Sequence, residues 1–372
     1  MLEPLRPYLR AWLTDPLWGR LAGKRLFITG GSGLFGSWFL ASLVEANERL
    51  DLGIEAWVLS RHPRPLVQGA PHRCVTWLQG DVQTFDDAGK LEIDLVLHMA
   101  STSAAETYAG ASGLSKLQTL YGGASQVCRL AAKWGARVLM TSSGAVYGNA
   151  MPLHVQEDDV LRLRSDFTDH AWGVGKAAAE QVLFQHVAAG DFEGVVCRCF
   201  SVLGPGLPLD LHYAAGNFVA DVLAQRPIRV RGDGSPLRSY LYLADVVAWL
   251  LKMLVDGRSG EIYHLGSDEA ISVLDLAQRL ACLSEVHVPI EVMGSPGAAV
   301  GVPVMNTYVP SIAKARRELA LDVFTPLDTA LGAMLSFERK SKQVREMRDS
   351  RDERNERAEG DQRDAQTGAL HG

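Results

Sequence analysis

Short apolar segments alternate along residues 25–200 with longer segments in which apolar residues recur at the spacing of an α-helix. The short segments predict β-strands over Arg25 to Thr29, Glu55 to Ser60, Val75 to Gln79, Asp94 to Ala100, Arg137 to Ser142 and Gly194 to Phe200. The longer segments predict helices, including Ser37 to Ala46, Gly123 to Trp134 and Gly175 to Ala189. This alternation is typical of an α/β fold, so we expect a doubly wound parallel sheet with helices on both faces.

The same pattern divides the chain into four segments. A large domain is predicted over residues 24–200, after an N-terminal extension over 1–23. Beyond Phe200 the loops lengthen and contain more Gly and Pro, which predicts a smaller lobe over 201–337 that closes over a cleft. Residues 338–372 contain few apolar side chains, and their arginines alternate with acids. This balance of charge predicts a disordered or frayed helical tail in solvent rather than an RNA-binding segment.

A glycine-rich turn directly after the first strand is the most specific motif. Gly30 would permit the sharp bend from strand to helix, Gly33 would let the backbone approach a pyrophosphate, and Gly36 would let the helix pack on its strand. Free N–H groups at the start of that helix favour a bound phosphate. The large domain is therefore predicted to bind a dinucleotide as Rossmann domains do. Three further residues complete this predicted contact: Ser32, Leu34 and Phe35.

The ends of the next three strands indicate the type of dinucleotide. Ser60 and Arg61 stand where an acidic residue would bind the ribose of NAD, and a small residue beside an arginine suits the 2′-phosphate of NADP. We therefore predict NADP and leave NAD open, with Arg64 as a second candidate arginine. The ends of the third and fourth strands are predicted to line the rest of the cofactor site with Asp81, Val82, Ala100 and Ser101.

Composition and charge exclude several classes of protein. The 372 residues carry a formal net charge of −6, so the chain lacks the general basic surface of a nucleic-acid-binding protein. No apolar run reaches the roughly 18 residues of a membrane helix. We expect a cytoplasmic protein without a nucleic-acid or membrane partner. The five cysteines are scattered without a CxxC pair, so neither a disulfide framework nor a metal site is expected.

Four further segments follow the glycine turn in a characteristic order. They are Gly80-Asp81-Val82, His98-Met99-Ala100, Thr141-Ser142-Ser143-Gly144-Ala145-Val146-Tyr147-Gly148 and Arg238-Ser239-Tyr240-Leu241-Tyr242. With them, residues 24–335 resemble the extended short-chain dehydrogenase/reductase family, whose members modify nucleotide-linked sugars with NAD(P). The resemblance implies a nucleotide-activated sugar as substrate. It also implies a homodimer formed through the two helices beside the catalytic segment.

In that family a serine or threonine, a tyrosine and a lysine carry the proton that accompanies hydride transfer. By similarity, Ser143 has the serine role and Lys176 has the lysine role. A tyrosine can act as a base near neutral pH only where a nearby cation stabilises its phenolate. The position of that tyrosine, four residues before Lys176, holds Trp172. Its indole N–H is a donor only and cannot act as a general acid or base.

Three explanations for Trp172 remain open. Another residue carries the proton, or Lys176 or a water does so at a lower rate, or the protein binds its ligands without turnover. Candidates for the first explanation are His170, Tyr147, Tyr213 and Tyr240. The plainer interpretation places Tyr147 under the strand and leaves His170 exposed.

Gly144 and Ala145 narrow the type of reaction. By the resemblance, dehydratases use an Asp-Glu pair just after the serine, and sugar-acid decarboxylases keep a glutamate there. Neither glycine nor alanine can exchange a proton. C4 epimerisation or reduction of a keto sugar is therefore predicted ahead of 4,6-dehydration or decarboxylation. The alternative is a catalytically silent protein that binds dinucleotide and sugar nucleotide in a regulatory or partner role.

Substrate contacts are predicted in the smaller lobe. Asn217 lies near the start of a predicted helix over residues 218–224, where amide groups suit a diphosphate. Arg231 and Arg238 resemble the family's arginine that pairs with that diphosphate, because a guanidinium fork matches phosphate oxygens. Asp245 is predicted to be the N-cap of a helix over residues 246–254.

Overall fold

The computed structural model describes residues 2–9, 16–63, 73–102, 106, 110–164, 166, 170–211, 213–294 and 306–344. Its central sheet contains β1 (Arg25–Thr29), β2 (Glu55–Ser60), β3 (Val75–Gln79), β4 (Leu95–His98), β5 (Arg137–Ser143), β6 (Gly194–Cys199) and β11 (Ile262–Leu265). Neighbouring strands pair in parallel in the order β3-β2-β1-β4-β5-β6-β11. The predicted doubly wound sheet is confirmed, because the strand order reverses between β1 and β4.

Helices cover both faces of this sheet. The helices of the described residues are α1 (Leu2–Leu9), α2 (Leu34–Leu50), α3 (Gly113–Trp134), α4 (Ala171–Ala189), α5 (Ala214–Leu223), α6 (Leu243–Asp256), α7 (Val273–Cys282), α8 (Ala313–Leu319) and α9 (residues 327–344). On β1, Leu26 and Ile28 pack in the cluster that holds apolar residues of α2 and α6, whereas Phe27 packs with those of α3 and α4. Successive strand residues point to opposite faces, so both faces are buried. Among the described residues, no helix has the length and apolar character needed to cross a bilayer.

The predicted strands agree with the structure better than the predicted helices do. The bounds of β1, β2 and β3 are those predicted, but α3 begins at Gly113, well before the predicted start at Gly123. Glycine favours turns over helix interiors, which made Gly122 and Gly123 a plausible boundary. In the structure a Cβ on Gly123 would lie 3.0 Å from the Val82 side chain. This glycine therefore serves close packing inside a continuous helix.

The N-terminal segment packs on the large domain. Its 3-10 turn (Pro16–Leu21) and α1 bury Leu5, Leu9, Trp18 and Leu21. The Arg6 guanidinium donates to Glu45 on α2 at 2.8 Å. At the other end, α9 continues to residue 344, so the predicted tail boundary at 338 falls inside a helix. The rest of the predicted tail, residues 345–372, lies outside the described residues.

Three short sheets lie within the predicted smaller lobe. They pair β7 (Val202–Leu203) with β10 (Leu241–Tyr242), β8 (Ile228–Val230) with β13 (Ile290–Val292), and β9 (Leu237–Arg238) with β12 (Ile271–Ser272) and β14 (Thr307–Tyr308). The predicted boundary at residue 200 does not separate two sheets, because β11 returns to pair with β6. The predicted N-cap at Asp245 is wrong, since α6 begins at Leu243. Asp245 instead accepts hydrogen bonds from the N–H groups of Phe324 at 3.1 Å and Thr325 at 2.8 Å.

Candidate active site

The glycine turn has the geometry that a dinucleotide pyrophosphate requires. Gly30 has a φ of +74°, and a Cβ there would lie 2.6 Å from the Met99 carbonyl carbon at the end of β4. A Cβ on Gly36 would lie 2.3 Å from the Gly30 carbonyl oxygen. Gly33 is the N-cap of α2 and has no side chain to cap the first N–H groups. Those N–H groups, which include those of Leu34 and Phe35, fit an anion.

The end of β2 is polar and carries an ion pair. Ser60 Oγ lies 3.2 Å from Ser32 Oγ, which joins the β2 end to the glycine turn. Arg61 Nη1 lies 2.8 Å from Glu106 Oε1, and this hydrogen bond raises the pKa of the Arg61 guanidinium. Sequence analysis missed Glu106, because it lies far along the chain from β2 and outside any motif. The second candidate arginine, Arg64, lies outside the described residues.

The loop after β3 holds the two residues predicted beside the adenine. Asp81 Oδ1 accepts from the backbone N–H of Gln83 at 2.9 Å, so its carboxylate shapes this turn. Val82 packs toward α3 at Gly123. The structure therefore places both residues at the carboxyl edge of the sheet, as predicted. Their contact with a cofactor stays a prediction.

A threonine on β1 organises the end of β4. Thr29 Oγ1 accepts from the Ala100 N–H at 3.1 Å and lies 2.7 Å from Nδ1 of the buried His98. The Thr29 hydroxyl and the His98 ring therefore satisfy each other through Nδ1. His98 is thus a satisfied core residue, and Thr29 is a positioning residue that sequence analysis did not select. Ser101 follows at the same edge and is partly exposed.

Two buried histidines predict a loss of stability in acid. Burial lowers the pKa of His98 to about 3, with a smaller effect of the Lys176 charge, and burial lowers the pKa of His264 to about 3. The unfolded chain binds a proton at each histidine below a pKa of about 6.5, whereas the native protein does not until about pH 3. The free energy of unfolding should therefore fall as the pH drops through 6.5, by about 2 kcal/mol per histidine at about pH 5.

Urea unfolding at about pH 7 and about pH 5 measures this loss. His98→Asn keeps an acceptor for Thr29 and removes one titration, so it should lose less stability than the natural protein. The exposed His154→Asn is the control and should show the full loss. The Glu157 carboxylate accepts from the backbone N–H of His264 at 3.0 Å, and burial raises the pKa of Glu157. The native protein therefore binds a proton at Glu157 more readily than the unfolded chain does, which offsets part of the loss of stability in acid. Equal stabilities of the natural protein at both pH values would contradict the prediction.

Lys176 is buried beside the β5 strand. Its Nζ donates to the Thr141 carbonyl oxygen at 2.7 Å, and burial lowers its pKa to about 8. The half-buried Trp172 ring lies one turn earlier on α4, with its centroid 5.6 Å from Lys176 Nζ. A cation over an indole face is stabilised electrostatically, so Trp172 holds the ammonium without exchanging a proton with it.

Two of the other groups proposed for proton transfer, His170 and Tyr147, have structural partners. His170 is buried, and its Nδ1 accepts from the Arg164 N–H at 3.0 Å, which corrects the expectation that it is exposed. Tyr147 Oη accepts from Arg198 Nη1 at 2.6 Å and lies 2.6 Å from His264 Nε2. Burial raises the pKa of Tyr147 well above its usual value. Both side chains are therefore structural in this arrangement.

A tyrosine from the smaller lobe reaches the predicted catalytic serine. Tyr308 Oη on β14 lies 3.4 Å from Ser143 Oγ and donates to the Cys199 carbonyl oxygen at 3.3 Å. A Cβ added to Gly144 would lie 2.9 Å from Tyr308 Oη and 2.7 Å from the Phe200 ring. Tyr308 therefore occupies the space beside Gly144. Sequence analysis missed it, because residues 143 and 308 share no local pattern.

A buried ion pair supports the floor of the site. Arg198 on β6 donates to Glu180 on α4 through Nε at 3.0 Å and through Nη2 at 2.7 Å. The Ser142 hydroxyl donates to the same carboxylate. Both charged side chains are buried: that of Arg198 is 4% exposed and that of Glu180 is 5% exposed. The pair connects α4, which carries Lys176, to β6, and the Ser142 hydroxyl connects the same carboxylate to β5, which carries Ser143.

Of the predicted substrate residues, Arg238 is connected to the serine through its neighbour Tyr308. It lies on β9 in register with Tyr308, and its charge acts on both Tyr308 and Tyr240. Burial lowers the pKa of Arg238. Arg231 lies on an exposed turn after β8. Asn217 lies inside α5, which begins at Ala214, so its backbone N–H is bonded to the Tyr213 carbonyl oxygen at 3.0 Å and only its side chain is available.

Comparisons with known proteins agree with this geometry. The family model described as NAD dependent epimerase/dehydratase family matches residues 26–266. UDP-glucuronic acid decarboxylase 3 of Arabidopsis thaliana is 24% identical over 275 residues, which cover 72% of this chain and 77% of that protein. The region that the family model matches includes the glycine turn, Ser143 and Lys176.

Two solved structures share the fold. UDP-glucose 4-epimerase of Thermotoga maritima, determined with UDP-glucose, has a TM-score of 0.69 and 19% identity over 85% of this chain and 99% of that one. DesIV of Streptomyces venezuelae, a dTDP-glucose 4,6-dehydratase determined with NAD, has a TM-score of 0.69 and 23% identity over 86% of this chain and 98% of that one. At these identities the likeness concerns the fold alone. Since the family model spans both the dinucleotide turn and the catalytic segment, the chain belongs to the NAD dependent epimerase/dehydratase family.

Proposed function

We propose that this protein is an NAD(P)-dependent enzyme that epimerises or reduces a nucleotide-activated sugar. One observation carries the proposal: Lys176 Nζ bonds the Thr141 carbonyl on β5, two residues before Ser143, and β5 lies two strands from β1 and its glycine turn. A dinucleotide held at that turn would extend along the carboxyl edge of the sheet toward both residues. Ser143 would hold the reacting sugar oxygen, and Lys176 would supply positive charge beside it.

The bound dinucleotide supplies the chemistry that side chains lack, which is acceptance and return of a hydride. The chain's own residues would orient the two ligands. Ser32 and the N–H groups at the start of α2 would face the pyrophosphate, and Arg238 would face the diphosphate of the sugar nucleotide. A guanidinium suits that group because it donates two parallel hydrogen bonds to phosphate oxygens.

NADP stays the predicted dinucleotide, with NAD open. Ser60 leaves room at the end of β2, and Arg61 offers a positive charge to a 2′-phosphate. Arg61 already pairs with Glu106, however, so a phosphate would have to share or displace that carboxylate. This pair reduces the advantage of NADP over NAD. The predicted homodimer likewise stays a prediction.

Dehydration and decarboxylation are less favoured by this site. Gly144 and Ala145 provide no acid or base, and Tyr308 with Phe200 fills the space that a side chain at position 144 would need. The Arabidopsis relative is named as a decarboxylase, and the family's decarboxylases are expected, by resemblance, to keep a glutamate after the serine, where this chain has Gly144 and Ala145. Trp172 favours a second candidate function, a binding protein without turnover, because an indole cannot replace the phenol of the family.

The two candidates differ in what the natural protein does to a sugar. We would incubate it with NAD or NADP and with UDP-glucose, UDP-glucuronic acid or dTDP-glucose, and follow the sugars by NMR. Trp172→Tyr would be tested beside it, because that change restores the family's phenol four residues before Lys176. Conversion by the natural protein is the expected result.

Trp57→Tyr is the matched control, since Trp57 lies on β2, away from Ser143, and is also partly buried. It should behave as the natural protein does. If Trp172→Tyr converted the sugar and the natural protein did not, the natural protein would have an intact pocket but no proton-transfer group. The binding function would then be the better assignment.

A further inference from the structure

Tyr308 gives the site a phenol that the motif at Trp172 lacks. We propose that Tyr308 exchanges the proton with the reacting sugar oxygen, in place of the tyrosine whose position Trp172 holds. The inference rests on the proposed function and adds to it the residue that performs proton transfer. It stands on the position of Tyr308 Oη, 3.4 Å from Ser143 Oγ.

The hydrogen bonds that Tyr308 Oη makes to Ser143 and to Cys199 are both long. Its hydrogen bonds to Ser143 at 3.4 Å and to the Cys199 carbonyl at 3.3 Å exceed the usual 2.5–3.0 Å of such bonds. Long bonds cost little to exchange, and catalytic hydrogen bonds are often long before the ligand binds. The ring is held firmly, since its centroid lies 4.8 Å from that of Phe200. A fixed ring with a loosely bonded hydroxyl suits a proton donor.

The absence of a side chain at Gly144 is part of the same arrangement. A Cβ there would approach Tyr308 Oη to 2.9 Å, closer than real Cβ contacts. The Gly144 backbone and the charge of Arg238 on the neighbouring strand both act to lower the pKa of Tyr308. Both interactions favour the phenolate that would remain after a proton leaves.

The charge state of Tyr308 indicates the direction of the step. Burial raises its pKa to about 12, so the residue holds its proton near neutral pH. It therefore starts as an acid. In the reductive direction, a bound reduced nicotinamide would supply a hydride with its two electrons to the carbonyl carbon of the sugar, and the C=O π bond would break. The oxygen takes the proton of Tyr308 Oη, and the resulting phenolate regains a proton from water.

Tyr308→Phe removes the proton and keeps the ring. With UDP-glucose, UDP-glucuronic acid or dTDP-glucose as probe, kcat should fall by about 10²- to 10⁴-fold with KM within a few-fold of the natural value. Tyr308→Phe with Trp172→Tyr should regain turnover, because the double variant has a phenol at the family's position. Tyr263→Phe is the matched control, since its hydroxyl bonds Glu318 at the far edge of the sheet. It should retain full turnover.

A second readout does not depend on turnover. Calorimetric titration with UDP-glucose, without added dinucleotide, should give Tyr308→Phe and the natural protein the same affinity within a few-fold. A loss of affinity as large as the loss of kcat would make Tyr308 a binding residue and overturn the proposal. Turnover by Tyr308→Phe within ten-fold of natural would overturn it and leave the proposed function standing. Turnover by Trp172→Tyr alone, with none by the natural protein, would overturn both the role of Tyr308 and the proposed enzymatic function.

Discussion

Lys176→Met is expected to lower turnover of the nucleotide sugar by about 10²- to 10⁴-fold, the range that acid–base catalysis contributes. The substitution keeps the length of the side chain and removes its charge. Lys176 is buried, and its Nζ touches the Thr141 carbonyl two residues before Ser143. A charge placed there, where solvent is excluded, acts strongly on the developing charge of a sugar oxygen. Steady-state kinetics on the converted probe sugar measures the effect.

Lys314→Met is the control for the Lys176 variant. Lys314 Nζ also donates to a backbone carbonyl, that of Ile262 at 2.7 Å, and also lies over an aromatic ring, that of Tyr263 at 4.8 Å. It stands at the β11 edge, away from Ser143, so turnover should not change. A Lys176→Met protein that turns over at the natural rate would remove the lysine from the mechanism.

Arg198→Met is expected to destabilise the protein by about 3–5 kcal/mol, because it leaves a buried carboxylate without its cation. The guanidinium makes two hydrogen bonds to Glu180, a third to Tyr147 at 2.6 Å and a fourth to the Glu157 carbonyl oxygen at 3.0 Å. After the change, Glu180 would keep only the Ser142 hydroxyl among these partners. Urea unfolding followed by circular dichroism gives the free energy of unfolding.

Two further variants separate charge from packing at this pair. Glu180→Gln combined with Arg198→Met removes both charges, so it should recover part of the lost stability. Arg129→Met breaks the exposed pair with Asp86, where both side chains are about half exposed, and should change stability by less than about 1 kcal/mol. An Arg198→Met protein as stable as the Arg129 variant would show that the buried pair contributes little.

The cofactor half of the site was predictable because its determinants are local. The strand, the glycine turn and the helix follow one another within residues 25–50, and each glycine has a steric reason that spacing alone indicates. Ser143 and Lys176 were also predictable as positions, since the motif around each identifies it. The start of α3 was not, because Gly123, which packs against Val82, looks like a helix breaker in the sequence.

The substrate half depended on contacts between distant residues. Glu106 reaches Arg61, Asp245 holds the backbone at Thr325, and β11 returns to the sheet that began at β1. None of these has a periodic signal, because each is set by how whole elements pack. The prediction of Asp245 as an N-cap failed for this reason: its type suited a cap, but the helix began two residues earlier.

The sequence by itself determined the fold class, the dinucleotide turn, and the presence of Ser143, Lys176 and Trp172 at their motif positions. Strand and helix periodicity and short-range spacing are sufficient for these features. Only the tertiary structure decided which phenol stands at the serine, because Ser143 and Tyr308 are 165 residues apart. It also decided that Tyr147 and His170 are structural, since burial and hydrogen-bond partners, which no spacing reveals, determine whether a side chain can exchange a proton.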